Sequence, residues 1–175
     1  AKVSQLLLKA WYKTRNNSID GSRKNIAEHY DLSNDFFKLF LDSSMMYSSA
    51  IFKDANMSLE EASDYKKELI CQKIQLKPMD HLVEIGSGWG GFAIYAAQNY
   101  GCKVTTITIS QAQYDEAVAR VSAAGLTHRI DVQLKDYRLL EGKFDKLVSI
   151  EMIEAVGEQY LPTYFRKCRE LLKPN

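Results

Sequence analysis

The stretch His81-Leu82-Val83-Glu84-Ile85-Gly86-Ser87-Gly88-Trp89-Gly90-Gly91 decides the fold. A short apolar run ends in an acid two places before a glycine-rich turn, and a helix-like segment, Phe92 to Gln98, follows. Glycine lets a backbone turn sharply and come close to a ligand where a Cβ would clash. Open α/β sheets bind cofactors at such turns, outside the carboxyl end of a strand. The spacing here is Gly-x-Gly-x-Gly, not the Gly-x-Gly-x-x-Gly of dinucleotide folds. An acid just before the turn suits a cationic or hydroxyl-bearing ligand better than a pyrophosphate. These features point to S-adenosylmethionine (SAM).

A glycine turn can also be only a bend, so its context matters. Lys103 to Ile109 alternates Val, Thr and Ile and reads as a buried strand. Ser110 then opens a helix as its N-cap, with Gln113 at the reciprocal capping-box position. Ile130 to Leu134 reads as a third strand and Lys146 to Ile150 as a fourth. Strand and helix alternate from about residue 80, the pattern of a parallel sheet with helices on its faces. The expected class is therefore α/β and Rossmann-like. A nicotinamide fold would want an acid about 20 residues past the glycines for a ribose hydroxyl. The second strand instead ends in Thr108-Ile109-Ser110, which disfavours that cofactor.

The 175 residues suit about one domain, and 46% hydrophobic with 26% charged residues is ordinary for a globular chain. A net charge of +1 gives no reason to expect nucleic acid. Charge is uneven, however: Lys2, Lys9, Lys13, Arg15, Arg23 and Lys24 face the single acid Asp20 between Ala1 and Lys24. Such a start can lie on an anionic membrane surface or form a solvated helix face. Leu6-Leu7-Leu8 is too short an apolar core for a secretory signal, and no run is long enough to span a bilayer. Cys71, Cys102 and Cys168 lack zinc or redox spacing, and His29, His81 and His128 do not cluster, so no metal site is expected. A cytoplasmic protein, peripheral at most to the inner membrane face, is the expectation.

Two parts are expected: an N-terminal helical cap over residues 1–57 and a cofactor-binding domain over 58–175. In the first, Ser33 to Leu41 reads as a short helix with a heavily apolar face, either core or one wall of a greasy channel. Ser58 to Leu76 reads as an amphipathic helix, capped by Ser58 with Glu61 and stopped by Pro78. Tyr164 to Leu172 reads as the last helix, and Lys173-Pro174-Asn175 as a turn feeding a fifth strand. A sheet of four strands would leave an open edge. The expectation is a fragment, or a chain completed by a second one through self-association or segment exchange.

Six segments, in order, resemble the cyclopropane-fatty-acyl-phospholipid synthase family, the mycolic acid cyclopropane synthase-like SAM-dependent methyltransferases. They are His29-Tyr30-Asp31-Leu32-Ser33-Asn34, Met46-Tyr47-Ser48-Ser49-Ala50, Glu84 to Gly90, Thr108 to Gln113, Asp136-Tyr137-Arg138 and Ser149 to Gly157. The resemblance implies a class I SAM-dependent methyltransferase fold, with its first four strands present after an N-terminal helical region. By resemblance, Gly86, Ser87, Gly88 and Trp89 surround the methionine part of SAM, with Glu84 at the same strand end. Thr108 and Gln113 take the ribose hydroxyls, a role that Gln113 cannot combine with capping. Asp136 and Tyr137 meet the adenine, and Tyr47 and Ser48 close over the cofactor.

The resemblance also implies the reaction: the alkene of an unsaturated acyl chain attacks the sulfonium methyl, and a proton leaves the new methyl as a ring closes. Family members use a bound bicarbonate as base, held by backbone groups and by Cys, Glu, His and Tyr side chains. Glu154 matches the glutamate. Ser49 stands where the family usually has Cys, and the His and Tyr would lie beyond Asn175. The substrate implied is an unsaturated fatty acyl phospholipid and the product a cyclopropane ring or a methyl branch. Two alternatives are a SAM-dependent N-methyltransferase of a small amine and a non-catalytic SAM-binding fragment.

Overall fold

The computed structural model describes residues 33–174 together with Gly21. The basic start of the chain and most of the His29-to-Asn34 segment lie outside the described residues. The elements are α1 (Asn34–Lys38), α2 (Leu59–Lys73), β1 (His81–Ile85), α3 (Gly91–Tyr100), β2 (Lys103–Thr108), α4 (Gln111–Ala123), β3 (Ile130–Leu134), β4 (Lys146–Val148) and α5 (Leu161–Leu171). Short 3₁₀ turns fall at Tyr137–Leu139, Ile153–Ala155 and Glu158–Tyr160.

The sheet is parallel throughout, in the order β3-β2-β1-β4. Its central strands are buried on both faces, which is why they read as continuous apolar and β-branched runs. Alternation along them divides the core. Leu82 and Val104 pack with Phe92, Ala96, Val121 and Cys71 under α2, α3 and α4. Val83, Ile85 and Ile107 pack with Leu140, Phe144, Tyr164 and Leu171 under α5. The order reverses direction between β1 and β4, and the carboxyl ends there form the crevice where open α/β sheets take ligands. Ser149 Oγ donates to the Ile85 carbonyl at 3.0 Å and ties the two strand ends together.

Helix α2 is capped as the sequence indicates: Ser58 accepts from the Glu61 amide and Glu61 accepts from the Ser58 amide. Its end differs. The helix stops at Lys73, and Gln75 adopts a left-handed φ of 51°. The Leu76 amide reaches the Cys71 carbonyl and the Gln75 amide that of Gln72, a Schellman turn that buries Leu76. This turn, not Pro78, ends the helix. Helix α1 buries Phe37 against Trp89 and Met45, while Phe36 on the helix and Leu39 and Phe40 just after it are exposed.

Gly91 opens α3 where no side chain fits, because a Cβ there would collide with the Ser44 carbonyl. That contact seats the segment after α1 on the sheet domain. Gly91→Ala is expected to cost about 1–3 kcal/mol, the usual penalty of overpacking. Urea denaturation measures it, and an unchanged midpoint would contradict the contact. No helix among the described residues is long and apolar enough to cross a membrane.

Candidate cofactor site

A cavity of about 480 Å³ lies at the carboxyl ends of the strands. Its lining brings together residues from five places: Tyr47 and Ser48; Glu84, Gly86, Ser87, Gly88 and Trp89; Thr108 and Gln113; Asp136 and Tyr137; and Glu154. Of the residues singled out in the sequence, only Ser49 is not part of that lining. The volume is within the range of small-molecule sites, about 300–1,000 Å³.

Glu84 is the unusual group. Register pairs it with Thr106 across β1 and β2, and the Thr106 hydroxyl donates to its carboxyl at 2.5 Å. The residue is 2% exposed. Burial, offset only in part by that hydrogen bond, pushes its pKa from 4.5 up to about 8. A buried carboxyl of this kind is neutral at pH 7 until a cation arrives. Gly86 beside it sits at φ 98°, a conformation that turns the chain away from β1 and that side chains rarely adopt.

On the second strand, Thr108 Oγ1 donates to Gln113 Oε1 at 2.9 Å and accepts from the Ser110 amide. Ser110 caps α4 by accepting from the Gln113 amide, but the Gln113 side chain makes no return bond. The capping-box reading of Gln113 is therefore corrected: its carboxamide turns to Thr108 and the cavity. With its oxygen engaged, Gln113 still offers its NH₂ to a hydroxyl acceptor.

On the third, Asp136 is 1% exposed and gripped by Arg138. Its Oδ1 accepts from the Arg138 amide and Nε, and its Oδ2 from a terminal guanidinium nitrogen at 2.6 Å. The hydrogen bond to Asp136 holds the Arg138 pKa above its ordinary value. The guanidinium also lies over the Tyr137 and Tyr160 rings, which stack it in place. Any further donor must share a carboxylate already committed to this pair.

Ser49 is committed elsewhere. Its amide and hydroxyl both donate to Glu151, the hydroxyl at 2.9 Å. Lys66, buried in the middle of α2, donates to Ser48 Oγ, to the Ser49 carbonyl and to Glu151. Sequence reading missed Lys66, Arg138 and Glu151. Lys66 carries no signal, since a lysine on a helix ordinarily reads as solvated. Arg138 and Glu151 each lie within two residues of a residue already singled out or just past a strand end, where the position itself was the clue.

Among the described residues no group of three or more His, Cys, Asp or Glu could hold a metal ion. Cys71 and Cys102 are free and buried, and burial pushes their thiols up to about 12 and 11, too high for nucleophiles.

The family model of mycolic acid cyclopropane synthetase matches residues 17–175. The chain belongs to that family. Among its relatives, tuberculostearic acid methyltransferase UfaA1 of Mycobacterium tuberculosis is 42% identical over 164 residues, 90% of this chain and 38% of the relative. Cyclopropane-fatty-acyl-phospholipid synthase of Escherichia coli K12 is 45% identical over 147 residues, 84% of this chain and 37% of the relative. The chain thus spans well under half the length of these curated relatives. Mycolic acid cyclopropane synthase CmaA1, solved in complex with SAH and CTAB, superposes with a TM-score of 0.83 at 32% identity, covering 86% of this chain and 53% of that one. Within the family fold, that of class I SAM-dependent methyltransferases, the glycine turn after β1 and the cavity beside it fall at the crevice between β1 and β4.

Proposed function

We propose that the cavity binds SAM and that the chain belongs to an enzyme transferring its methyl carbon to the double bond of an unsaturated fatty acyl chain of a phospholipid. The observation that carries this reading is the composition of a single cavity. Buried Glu84 and the glycine turn share it with Met45, Met46, Ile150, Met152 and Val156, an apolar wall suited to hydrocarbon, and with Glu154. CmaA1, with its SAH, supports the cofactor; the E. coli and M. tuberculosis relatives support a fatty acyl acceptor.

SAM supplies an electrophilic methyl on a sulfonium. The chain's own residues orient it: Glu84 accepts from the ammonium of the methionine part, Thr108 and Gln113 take the ribose, and Asp136 with Tyr137 bounds the adenine. Ser48 and Tyr47 cover the site, and exclusion of water protects a cationic carbon from hydroxide. We assign Glu154, exposed on the cavity wall in the 3₁₀ turn Ile153–Ala155, to the departing proton. Bicarbonate fits poorly as that base among the described residues. Of the side chains that would hold it, Ser49 is engaged by Glu151 and is not part of the lining, whereas Glu154 is.

The exposed rings of Phe36 and Phe40, 5.5 Å apart, and Phe52 add apolar surface on the same N-terminal region as Tyr47. Such surface favours a lipid acceptor over a small amine. Offering labelled SAM with cis-unsaturated phospholipid vesicles and with soluble amines side by side tests the choice. Label is expected in the lipid; a preference for the amines would replace this reading with N-methylation. Binding of SAM with transfer to neither would leave a cofactor-binding fragment.

A further inference from the structure

We propose that Lys66 and Glu151 are positioning residues that latch the Tyr47–Ser49 segment over the cofactor cavity. The proposal deepens the SAM reading above and rests on it. Neither Lys66 nor Ser49 lines the cavity, while Tyr47, Ser48 and Glu151 do. Lys66, buried and off the lining, therefore acts through Ser48 and Glu151, which are on it.

Lys66 is 7% exposed at its side chain, and its ammonium has three acceptors: Ser48 Oγ at 2.7 Å, the Ser49 carbonyl at 2.8 Å and Glu151 Oε1 at 3.2 Å. Three donors meet three acceptors, so the buried charge is fully satisfied. Glu151 completes the ring by accepting from the Ser49 amide and hydroxyl. These partners come from three separated parts of the chain: the covering segment, the middle of α2 and the loop after β4. Burial raises the Glu151 pKa, but the Ser49 amide and hydroxyl and the Lys66 ammonium outweigh it and hold the carboxyl below its ordinary range.

Backbone geometry points the same way. Glu151 has φ 45° and Met45 φ 57°, two left-handed non-glycine residues, and both line the cavity. Strain of this sort persists only where surrounding bonds hold it. At Met45 the holding group is Asp42, which accepts from the Ser44 and Met46 amides and the Ser44 hydroxyl. At Glu151 it is the grip of its own carboxylate on Ser49. The covering segment is thus pinned at both ends, by Asp42 before it and by Lys66 with Glu151 after it. A cofactor that must be covered by Tyr47 and Ser48 is held only as well as this segment is held.

The test uses the whole chain, with Lys66→Met, Glu151→Gly and the double variant. Methionine keeps the apolar stem, and Glu151, 45% exposed at its side chain, can turn to water, so the fold should survive. Glu151→Gly relieves the left-handed backbone while removing the grip, which separates strain from latch. Amide exchange over residues 47–50 should quicken about tenfold in each single variant, with β1 unchanged, and SAH affinity should fall about tenfold. The double variant should be no worse than the poorer single one, as for groups acting in one network. At saturating SAM, turnover of Lys66→Met should approach that of the wild type, a KM effect that loose packing would not produce. Wild-type binding of SAH with equal affinity and exchange in Lys66→Met overturns the latch alone. A wild type that binds neither SAM nor SAH overturns the cofactor reading and the latch with it.

Discussion

Glu84→Gln should weaken SAM binding by about a hundredfold and remove the pH dependence of that binding. Truncating one partner of a buried, hydrogen-bonded charge pair costs about 2–5 kcal/mol, and a hundredfold lies inside that span. The pH dependence follows from burial. In the free protein Glu84 keeps its proton up to about pH 8. An ammonium placed beside it favours the carboxylate, so binding near pH 6–7 should release about one proton and tighten as pH rises toward 8. Calorimetry in buffers of different ionisation enthalpy counts that proton; none released by the wild type would separate Glu84 from the ammonium. The same carboxyl affects stability with a definite sign. Its folded pKa lies above the 4.5 of the exposed group, so the native state binds more protons than the unfolded one between those values. Wild-type stability should therefore fall as pH rises through that window and level off above about 8. Glu84→Gln should melt above the wild type at alkaline pH and close to it near pH 4. Parallel melting curves across pH would contradict the burial of an ionisable group at this strand end.

Glu154→Gln is the second variant with a large expected effect, and its signature is opposite. The residue lines the cavity, yet it lies beyond the strand ends that bear the cofactor set. Turnover should drop by about 10²–10⁴, the usual worth of a proton-transfer group. SAM affinity should stay within about threefold of the wild type, because the proton leaves only after methyl transfer. Comparable losses in affinity and turnover would make Glu154 a binding residue. Full turnover in the variant would leave the base to another group.

The sheet was readable because each strand carries its own period and its own stop. Leu82 to Ile85 is apolar apart from Glu84 and ends at glycines, and Lys103 to Thr108 is rich in β-branched residues before a capping serine. Glu84 was readable from its place before the glycine turn, whereas Thr108 and Asp136 were singled out through the family resemblance; all three reach the one cavity. What could not be read was partner choice across distance. Ser49 and Glu151 are 102 residues apart, and nothing local in either says that they meet. Lys66 sits in a helix where a lysine reads as solvated, yet it is buried with its ammonium on Ser48 and the Ser49 carbonyl. The end of α2 was misread because Pro78 is a conspicuous stop, whereas a glutamine in a left-handed turn gives no warning.

The most direct measurement is to incubate the chain with methyl-labelled SAM and cis-unsaturated phospholipid vesicles, then count label in the extracted lipid. Label is expected in the acyl fraction, dependent on the double bond and lost in Glu154→Gln. SAM bound in the cavity with no label in unsaturated lipid would contradict methyl transfer to the acyl chain.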